Sequence, residues 1–187
     1  MSASGANWLK RESRASIELP NQLLNALDIR AGMTIADVGA GIGYFSWRLS
    51  KRVGPKGLVL AVDIQKEMLE LLNYELRKRK INNVQTILGT PFDPNLPLAS
   101  VDIALLVDVY HEFEYPETMI SKIRQALRDD GKLVLVEYRG EDSNIPIKLE
   151  HKMTVQQVLK ELIPMGFRLK TKLDFLPWQH LFIFVKD

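Results

Sequence analysis

The sequence predicts an α/β domain with a mostly parallel sheet and helices on both faces. Short apolar segments alternate with amphipathic helical segments along nearly the whole chain, which is the pattern of βαβ units. The segment at 101–109 is almost continuously apolar, as expected of a strand buried on both faces. The last two strands are joined by residues 175–178, a link too short for a parallel crossover, so they form an antiparallel hairpin.

The elements follow in a regular order. A helix at 20–27 carries Pro20 in its first turn, and the first strand follows at 33–38. The other predicted helices lie at 44–51, 66–80, 117–128 and 154–164. The other predicted strands lie at 58–63, 84–88, 101–109, 132–137, 167–174 and 180–185. Seven strands and two helical layers give a three-layer sandwich.

A glycine-rich turn follows the first strand, where residues 37–43 read Asp-Val-Gly-Ala-Gly-Ile-Gly. Glycines at alternate positions let the backbone turn sharply and present its N–H groups to a ligand. The second strand ends in Asp63, about 20 residues further on, the distance at which an acid commonly binds ribose hydroxyls. The two features predict a nucleoside-cofactor site. Asp63 is also placed to cap the following helix, and that alternative stays open.

The glycine spacing argues against a dinucleotide. A G-x-G-x-x-G fingerprint counted from Gly39 and Gly41 needs glycine at position 44, where the chain has Tyr44. The motif that begins at Asp37 and ends at Gly43 instead resembles the first motif of class I S-adenosylmethionine-dependent methyltransferases.

This resemblance covers almost the whole chain. Residues 58–64 resemble the family's ribose-binding motif, residues 96–103 its approach to strand four in the small-molecule branch, and residues 127–133 its entry to strand five. Residues 107–113 together with 176–180 resemble a bacterial subgroup. The resemblance implies a Rossmann-like sandwich with a seven-stranded sheet whose last strand is inserted antiparallel. It also implies S-adenosylmethionine as cofactor and S-adenosylhomocysteine as product.

The resemblance further implies the cofactor-binding residues. The glycine loop would lie under the methionine portion, Asp37 would fix the loop by satisfying its N–H groups, and Asp63 would bind ribose. Asp108 ends a buried strand, where a carboxylate needs a cation or donors, and the methionine ammonium would satisfy it. The expected set is Asp37, Gly39, Ala40, Gly41, Gly43, Asp63, Ile64, Thr90, Asp93 and Asp108.

The segment after strand three, where adenine is expected to bind, departs from the family pattern. Members often carry an acid followed by a small residue after strand three, whereas residues 89–93 read Gly-Thr-Pro-Phe-Asp here. Pro91 has no N–H to donate. Three candidates for adenine recognition remain: the Thr90 hydroxyl, the Asp93 carboxylate and stacking on Phe92.

His111 is the candidate catalytic residue. It follows strand four, where the resemblance brings the acceptor to the methyl group, and imidazole can take a proton near neutral pH. The alternative is a loop histidine bonded to Glu112 or Glu114. His151 is expected to be structural. Because His111, His151 and His180 lack close spacing and no H-E-x-x-H pattern occurs, we predict no metal site.

The composition excludes several classes of site. The chain has no cysteine, so disulfides, thiolate metal sites and cysteine nucleophiles are absent. A net charge of +2 gives no nucleic-acid signal, and the basic run at 77–80 is interpreted as a solvated helix end. No apolar run approaches the roughly 20 residues that span a bilayer, and the first residues lack the apolar region of a secretory signal. We therefore expect a cytoplasmic protein with no membrane partner.

The 187 residues are interpreted as one methyltransferase domain. It comprises an N-terminal helical segment at 1–30, a cofactor-binding half at 31–140, and a helix with a C-terminal hairpin at 141–187. The expected function is methyl transfer from S-adenosylmethionine to a small-molecule acceptor. Two alternatives stay open. One is a non-catalytic methyltransferase-like subunit that binds the cofactor or a partner, and the other is a nicotinamide-dependent oxidoreductase.

Overall fold

A computed structural model describes residues 14–187, so positions 1–13 of the expected N-terminal segment at 1–30 lie outside the described residues. The described chain forms one sheet in the strand order β3-β2-β1-β4-β5-β8-β7, with β6 paired to β5 beside this path. The strands are β1 (Thr34–Val38), β2 (Leu58–Asp63), β3 (Val84–Leu88), β4 (Val101–Val107), β5 (Leu127–Arg139), β6 (Lys152–Met153), β7 (Phe167–Leu173) and β8 (Gln179–Lys186).

Helices cover both faces of the sheet. They are α1 (Arg14–Glu18), α2 (Pro20–Asn25), α3 (Ser46–Val53), α4 (Lys66–Lys78), α5 (Pro116–Ala126) and α6 (Val155–Leu162). Helices α5 and α6 pack on one face, and α2 and α3 pack on the other. Helix α4 joins that second face through Ala61 of β2. The predicted three-layer α/β sandwich is confirmed.

Alternation along the central strands creates the two apolar faces. In β4, Ile103 and Leu105 pack toward α2 and α3, whereas Ala104 and Leu106 pack toward α5 and α6. All four are buried, as the apolar run predicted. Within residues 14–187, no helix has the length and apolar character needed to cross a bilayer.

The strand order places a crevice at the carboxyl ends of the central strands. Strand β1 pairs in parallel with both β2 and β4, so the strand order reverses beside β1. Ligands of open α/β sheets bind at the carboxyl ends of the strands flanking such a reversal. The last strand, β8, lies antiparallel between β5 and β7, as predicted.

The structure differs from the prediction around β5. The strand begins at Leu127, five residues before the predicted start, because Val101 pairs with Leu127 and Ile103 then pairs with Lys132. Residues 128–131 therefore form a bulge between two paired segments and do not end the preceding helix, which stops at Ala126. The two-residue strand β6, which no sequence pattern marks, adds an eighth strand.

Candidate active site

The carboxyl ends of β1, β2 and β4 open into a cavity of about 490 Å³. This volume lies in the range of small-molecule sites, and the cavity occupies the crevice beside β1. Its wall contains most of the predicted site residues: Asp37, Gly39, Ala40, Gly41, Asp63, Ile64, Thr90, Asp108 and His111.

The backbone of the glycine loop forms one side of the cavity. Gly39 has φ 75°, and a Cβ at this position would lie 2.4 Å from Cγ2 of Val109. Only glycine fits such a left-handed and crowded position. Gly43 is a different case, because it does not line the cavity and a Cβ there would lie 2.0 Å from Cδ1 of Leu72 in α4. Packing against α4 therefore requires a residue without a side chain at position 43.

Asp63 joins the end of β2 to the glycine loop. Its Oδ2 accepts from Gly41 N–H at 2.8 Å, and its Oδ1 accepts from Gln65 N–H at 2.9 Å. Burial raises the pKa of Asp63. Because a carboxylate has about four acceptor positions, each oxygen keeps capacity for a ligand hydroxyl. Helix α4 begins after Gln65, so the carboxylate holds the residue that precedes the helix.

Asp37 contacts the start of α3, not the loop. Its Oδ2 accepts from the Ser46 hydroxyl at 2.5 Å. The expectation that Asp37 satisfies the loop N–H groups is wrong, because Gly39 and Ala40 N–H both donate to Val62 O at 2.9 Å. Burial raises the pKa of Asp37 to about 6, and the Ser46 hydrogen bond opposes that shift.

Asp108 lies just beyond β4 in left-handed backbone, with φ 51°. Gln179 Nε2 lies 2.9 and 2.8 Å from its two carboxylate oxygens. Burial and the nearby carboxylates of Glu18 and Glu137 raise the pKa of Asp108 well above its usual range. Such a strained, acidic position is typical of a functional site. Gln179 was missed by the sequence reasoning, since 71 residues separate it from Asp108.

Helix α1 adds two charged residues that sequence reasoning also missed. Arg14 and Glu18 line the cavity, and Arg14 Nε lies 2.7 Å from Glu18 Oε2. The Arg14 guanidinium lies 3.8 Å from the centre of the Tyr44 ring. Their i,i+4 spacing is the only sequence signal that marks them.

The loop after β3 uses Thr90 and Asp93 to hold its own turn. Thr90 Oγ1 accepts from Asp93 N–H at 2.9 Å, and the Asp93 carboxylate accepts from Asn95 N–H at 2.8 Å. Of the three adenine candidates only Thr90 lines the cavity, because Asp93 lies beside Lys122 and Phe92 packs edge-on against Tyr115.

The His111 side chain forms a hydrogen bond with a buried acid. Its Nδ1 lies 2.6 Å from Oε2 of Glu137, a fully buried residue of β5. The other Glu137 oxygen accepts from Tyr110 N–H at 2.8 Å. Glu112, the partner considered from sequence, lies 3.9 Å away. The strand partner was not visible in the sequence, because 26 residues separate the pair.

His151 also lines the cavity, and its Nδ1 lies 3.1 Å from Nε2 of His111. The expectation that His151 is only structural rested on its distance along the chain. The segment from Gly140 to Lys152 returns beside β5 and brings the turn Leu149–His151 against the turn Tyr110–Glu112. His180 lies elsewhere, between Asp174 at 2.8 Å and Glu141 at 3.0 Å.

One group in the described chain has the spacing of a metal site. His111, Glu112 and His151 each offer one ligand atom, and these atoms lie within 4.8 Å of one another. The sequence-based reason for predicting no metal is therefore wrong, since the fold brings two of the three histidines together.

Comparison with known proteins agrees with this geometry. Residues 29–179 match a family model described as a methyltransferase domain. The chain belongs to this family, the class I S-adenosylmethionine-dependent methyltransferases. The predicted cofactor, S-adenosylmethionine, is confirmed with it.

Two relatives represent different kinds of methyl transfer. The chain is 31% identical over 114 residues to nocamycin O-methyltransferase of Saccharothrix syringae, covering 61% of this chain and 41% of that protein. It is 30% identical over 122 residues to a ubiquinone/menaquinone biosynthesis C-methyltransferase of Blochmanniella floridana, covering 62% and 46%. The matches therefore span less than half the length of these relatives.

Solved structures share the fold. An S-adenosylmethionine-dependent methyltransferase from Aquifex aeolicus superposes with a TM-score of 0.93 at 24% identity, covering 98% of both chains. The [4+2]-cyclase SpnF superposes with a TM-score of 0.74 at 18% identity, covering 86% of this chain and 60% of the other.

The buried Asp37 predicts a pH-dependent stability. Its pKa is 3.8 in the unfolded reference and about 6 in the fold, so charging it opposes folding as pH rises through this window. Asp37→Asn removes that cost. The difference in unfolding free energy between the variant and the wild type should therefore shift in the variant's favour by about 2 kcal/mol between pH 4 and pH 7.

Urea unfolding of both proteins at pH 4, 5, 6 and 7 measures this shift. Asp130→Asn, at an exposed position, is the matched control and should give a constant difference. A constant difference for Asp37→Asn as well would contradict the assignment of a raised pKa.

Proposed function

We propose that this chain transfers a methyl group from S-adenosylmethionine to a small-molecule acceptor. One observation supports this most strongly: a single cavity is lined by the glycine loop and Asp63 and also by His111, whose imidazole is held by Glu137. The first group suits a nucleoside cofactor, and the second suits proton removal from an acceptor.

The residues present fit the cofactor. The loop backbone faces the cavity, and the Asp63 oxygens have acceptor capacity for hydroxyls. Asp108 supplies a carboxylate for a cationic amino group, and Glu18, which is paired with Arg14, lies in the same wall. S-adenosylmethionine supplies a methyl group already activated on a sulfonium sulfur.

The chain's own task is to orient the acceptor, exclude water and remove a proton. The Glu137 carboxylate lies 2.6 Å from His111 Nδ1, so it orients the ring and offers a charge-assisted hydrogen bond to an imidazolium formed during transfer. We therefore propose His111 as the residue on which the positive charge rests once the acceptor has lost its proton.

The wall near His111 supports a small acceptor with an apolar part. Phe113, Met119 and Ile147 line the cavity, together with Lys148. A small acceptor is consistent with the O- and C-methyltransferases to which the chain is similar. Neither the charge nor the cavity favours a nucleic acid or a membrane as partner.

A non-catalytic role in binding remains the alternative, because the loop after β3 departs from the family pattern for adenine recognition. A bound cofactor without methyl transfer would favour it. A nicotinamide cofactor is disfavoured by Tyr44, and titration with NADH checks that point.

Asp63→Ala should weaken S-adenosylhomocysteine binding by about 1–3 kcal/mol, because ribose hydroxyls lose a charged acceptor and Gly41 N–H loses its partner. Calorimetric titration of both proteins measures the change. Asp28→Ala, at an exposed acid, is the control. Unchanged affinity accompanied by lost helicity would instead support the capping role of Asp63.

Methyl transfer itself is tested with labelled S-adenosylmethionine and a small-molecule filtrate of cell extract. The wild type should label a filtrate component, and His111→Ala should lower the rate by about 10²–10⁴-fold with nearly unchanged S-adenosylhomocysteine affinity. Gln157→Ala, on the exposed side of α6, is the control. Loss of cofactor binding together with transfer would mean that His111 maintains the cavity's shape.

A further inference from the structure

Glu137, His111 and His151 form a continuous chain of short contacts at the cavity wall. Glu137 Oε2 lies 2.6 Å from His111 Nδ1, and His111 Nε2 lies 3.1 Å from His151 Nδ1. The two imidazole rings lie 5.1 Å apart, centre to centre. Both ring nitrogens of His111 are therefore engaged, and neither is left to meet an acceptor directly.

The direction of the hydrogen bonds follows from the acid. An ionised carboxylate only accepts, so the proton of a neutral His111 lies on Nδ1. His111 Nε2 then carries a lone pair and accepts from His151 Nδ1–H. This leaves a lone pair on His151 Nε2, which has no hydrogen-bond partner among residues 14–187. The residue that carries this nitrogen lines the cavity.

We propose that His151 is the residue that contacts the acceptor and relays its proton to His111. The inference rests on the proposed methyl transfer. His151 Nε2 takes the proton from the acceptor's O–H, N–H or C–H group while His151 Nδ1 passes its own proton to His111 Nε2. The acceptor's electron pair forms the new bond to the methyl carbon, and the bond from that carbon to sulfur breaks.

The relay leaves the positive charge on His111 and not at the cavity surface. The imidazolium then lies against the buried Glu137 carboxylate, where a charge-assisted hydrogen bond stabilises it. Charged groups near the two rings include Glu112, 3.9 Å from His111, the exposed Glu150 beside His151, and Lys148, which lines the same cavity and pairs with Glu150. Glu137 is a positioning residue in this scheme, and His151 is the catalytic residue.

Nitrogen-15 NMR of the side chains tests the hydrogen-bond direction without any acceptor, because the chain has only three histidines. At a pH where the imidazoles are neutral, His111 and His151 should both carry the proton on Nδ1 and show an unprotonated Nε2. A His151 ring protonated on Nε2 would overturn the relay.

Glu137→Gln gives a sharper form of this test. The amide retains an oxygen for Tyr110 N–H and presents its NH₂ to His111 Nδ1, so both rings should switch to the Nε2–H form. Glu141→Gln is the matched control, since it removes a carboxylate from His180 and should leave His111 and His151 unchanged. Unswitched tautomers in Glu137→Gln would overturn the proposal.

Turnover and binding separate this inference from the proposed function. In the label-transfer assay, His151→Ala should lower the rate at least 10²-fold, recover part of it with added imidazole, and bind S-adenosylhomocysteine as the wild type does. Wild-type transfer by His151→Ala would overturn the relay alone. Absence of S-adenosylhomocysteine binding in the wild type would overturn the proposed function instead.

Zinc titration checks the competing use of the same atoms. The relay predicts that Zn²⁺ at stoichiometric concentration leaves the His111 nitrogen signals unchanged, because both nitrogens of that ring are hydrogen-bonded. Stoichiometric binding that shifts the signals of both His111 and His151, and its reversal by a chelator, would show a metal site and overturn the relay.

Discussion

Buried carboxylates at the carboxyl edge of the sheet are the constraint on which this structure depends. Asp37, Asp63 and Glu137 are buried near the carboxyl ends of parallel strands, the half-buried Asp108 lies just beyond β4, and the buried Glu18 reaches the same cavity from α1. Burial of a charged group is costly unless hydrogen bonds or opposite charges compensate it. The surrounding structure supplies that compensation, and in doing so it builds the site.

Each acid has a partner from a different part of the fold. Asp63 accepts a hydrogen bond from Gly41 N–H, and Asp37 accepts one from the Ser46 hydroxyl. Asp108 accepts from the side-chain amide of Gln179. These contacts hold the glycine loop, helix α3 and strand β8 around one cavity. The compensation is incomplete, because the pKa values of Asp37, Asp63 and Asp108 remain raised. A cationic ligand group would therefore bind favourably.

The sequence predicted what depends on local pattern. Apolar periodicity predicted the strands and helices, and glycine spacing with Asp63 predicted the loop and the edge where the cavity lies. The bulge at residues 128–131 was not predicted, because its Asp-Asp-Gly sequence also suits a helix end.

The contacts that create the chemistry join distant segments. Strand pairing brings Gln179 to Asp108 and Glu137 to His111. The return of the 140–152 segment brings His151 to His111. No single-sequence pattern encodes such pairings, so the sequence indicates His111 by its position after β4 but gives no sign that His151 belongs to the site. The error at Asp37 has a local origin, since its partner Ser46 lies nine residues further along, at the start of the next helix.

Proton release on cofactor binding tests the central claim that raised-pKa carboxylates line a cofactor site. S-adenosylhomocysteine is titrated calorimetrically at pH 6 in two buffers of different ionisation enthalpy. Its ammonium should lower the pKa of the cavity carboxylates, so binding should release protons and the measured enthalpy should depend on the buffer. Binding with a buffer-independent enthalpy, or no binding, would contradict the account.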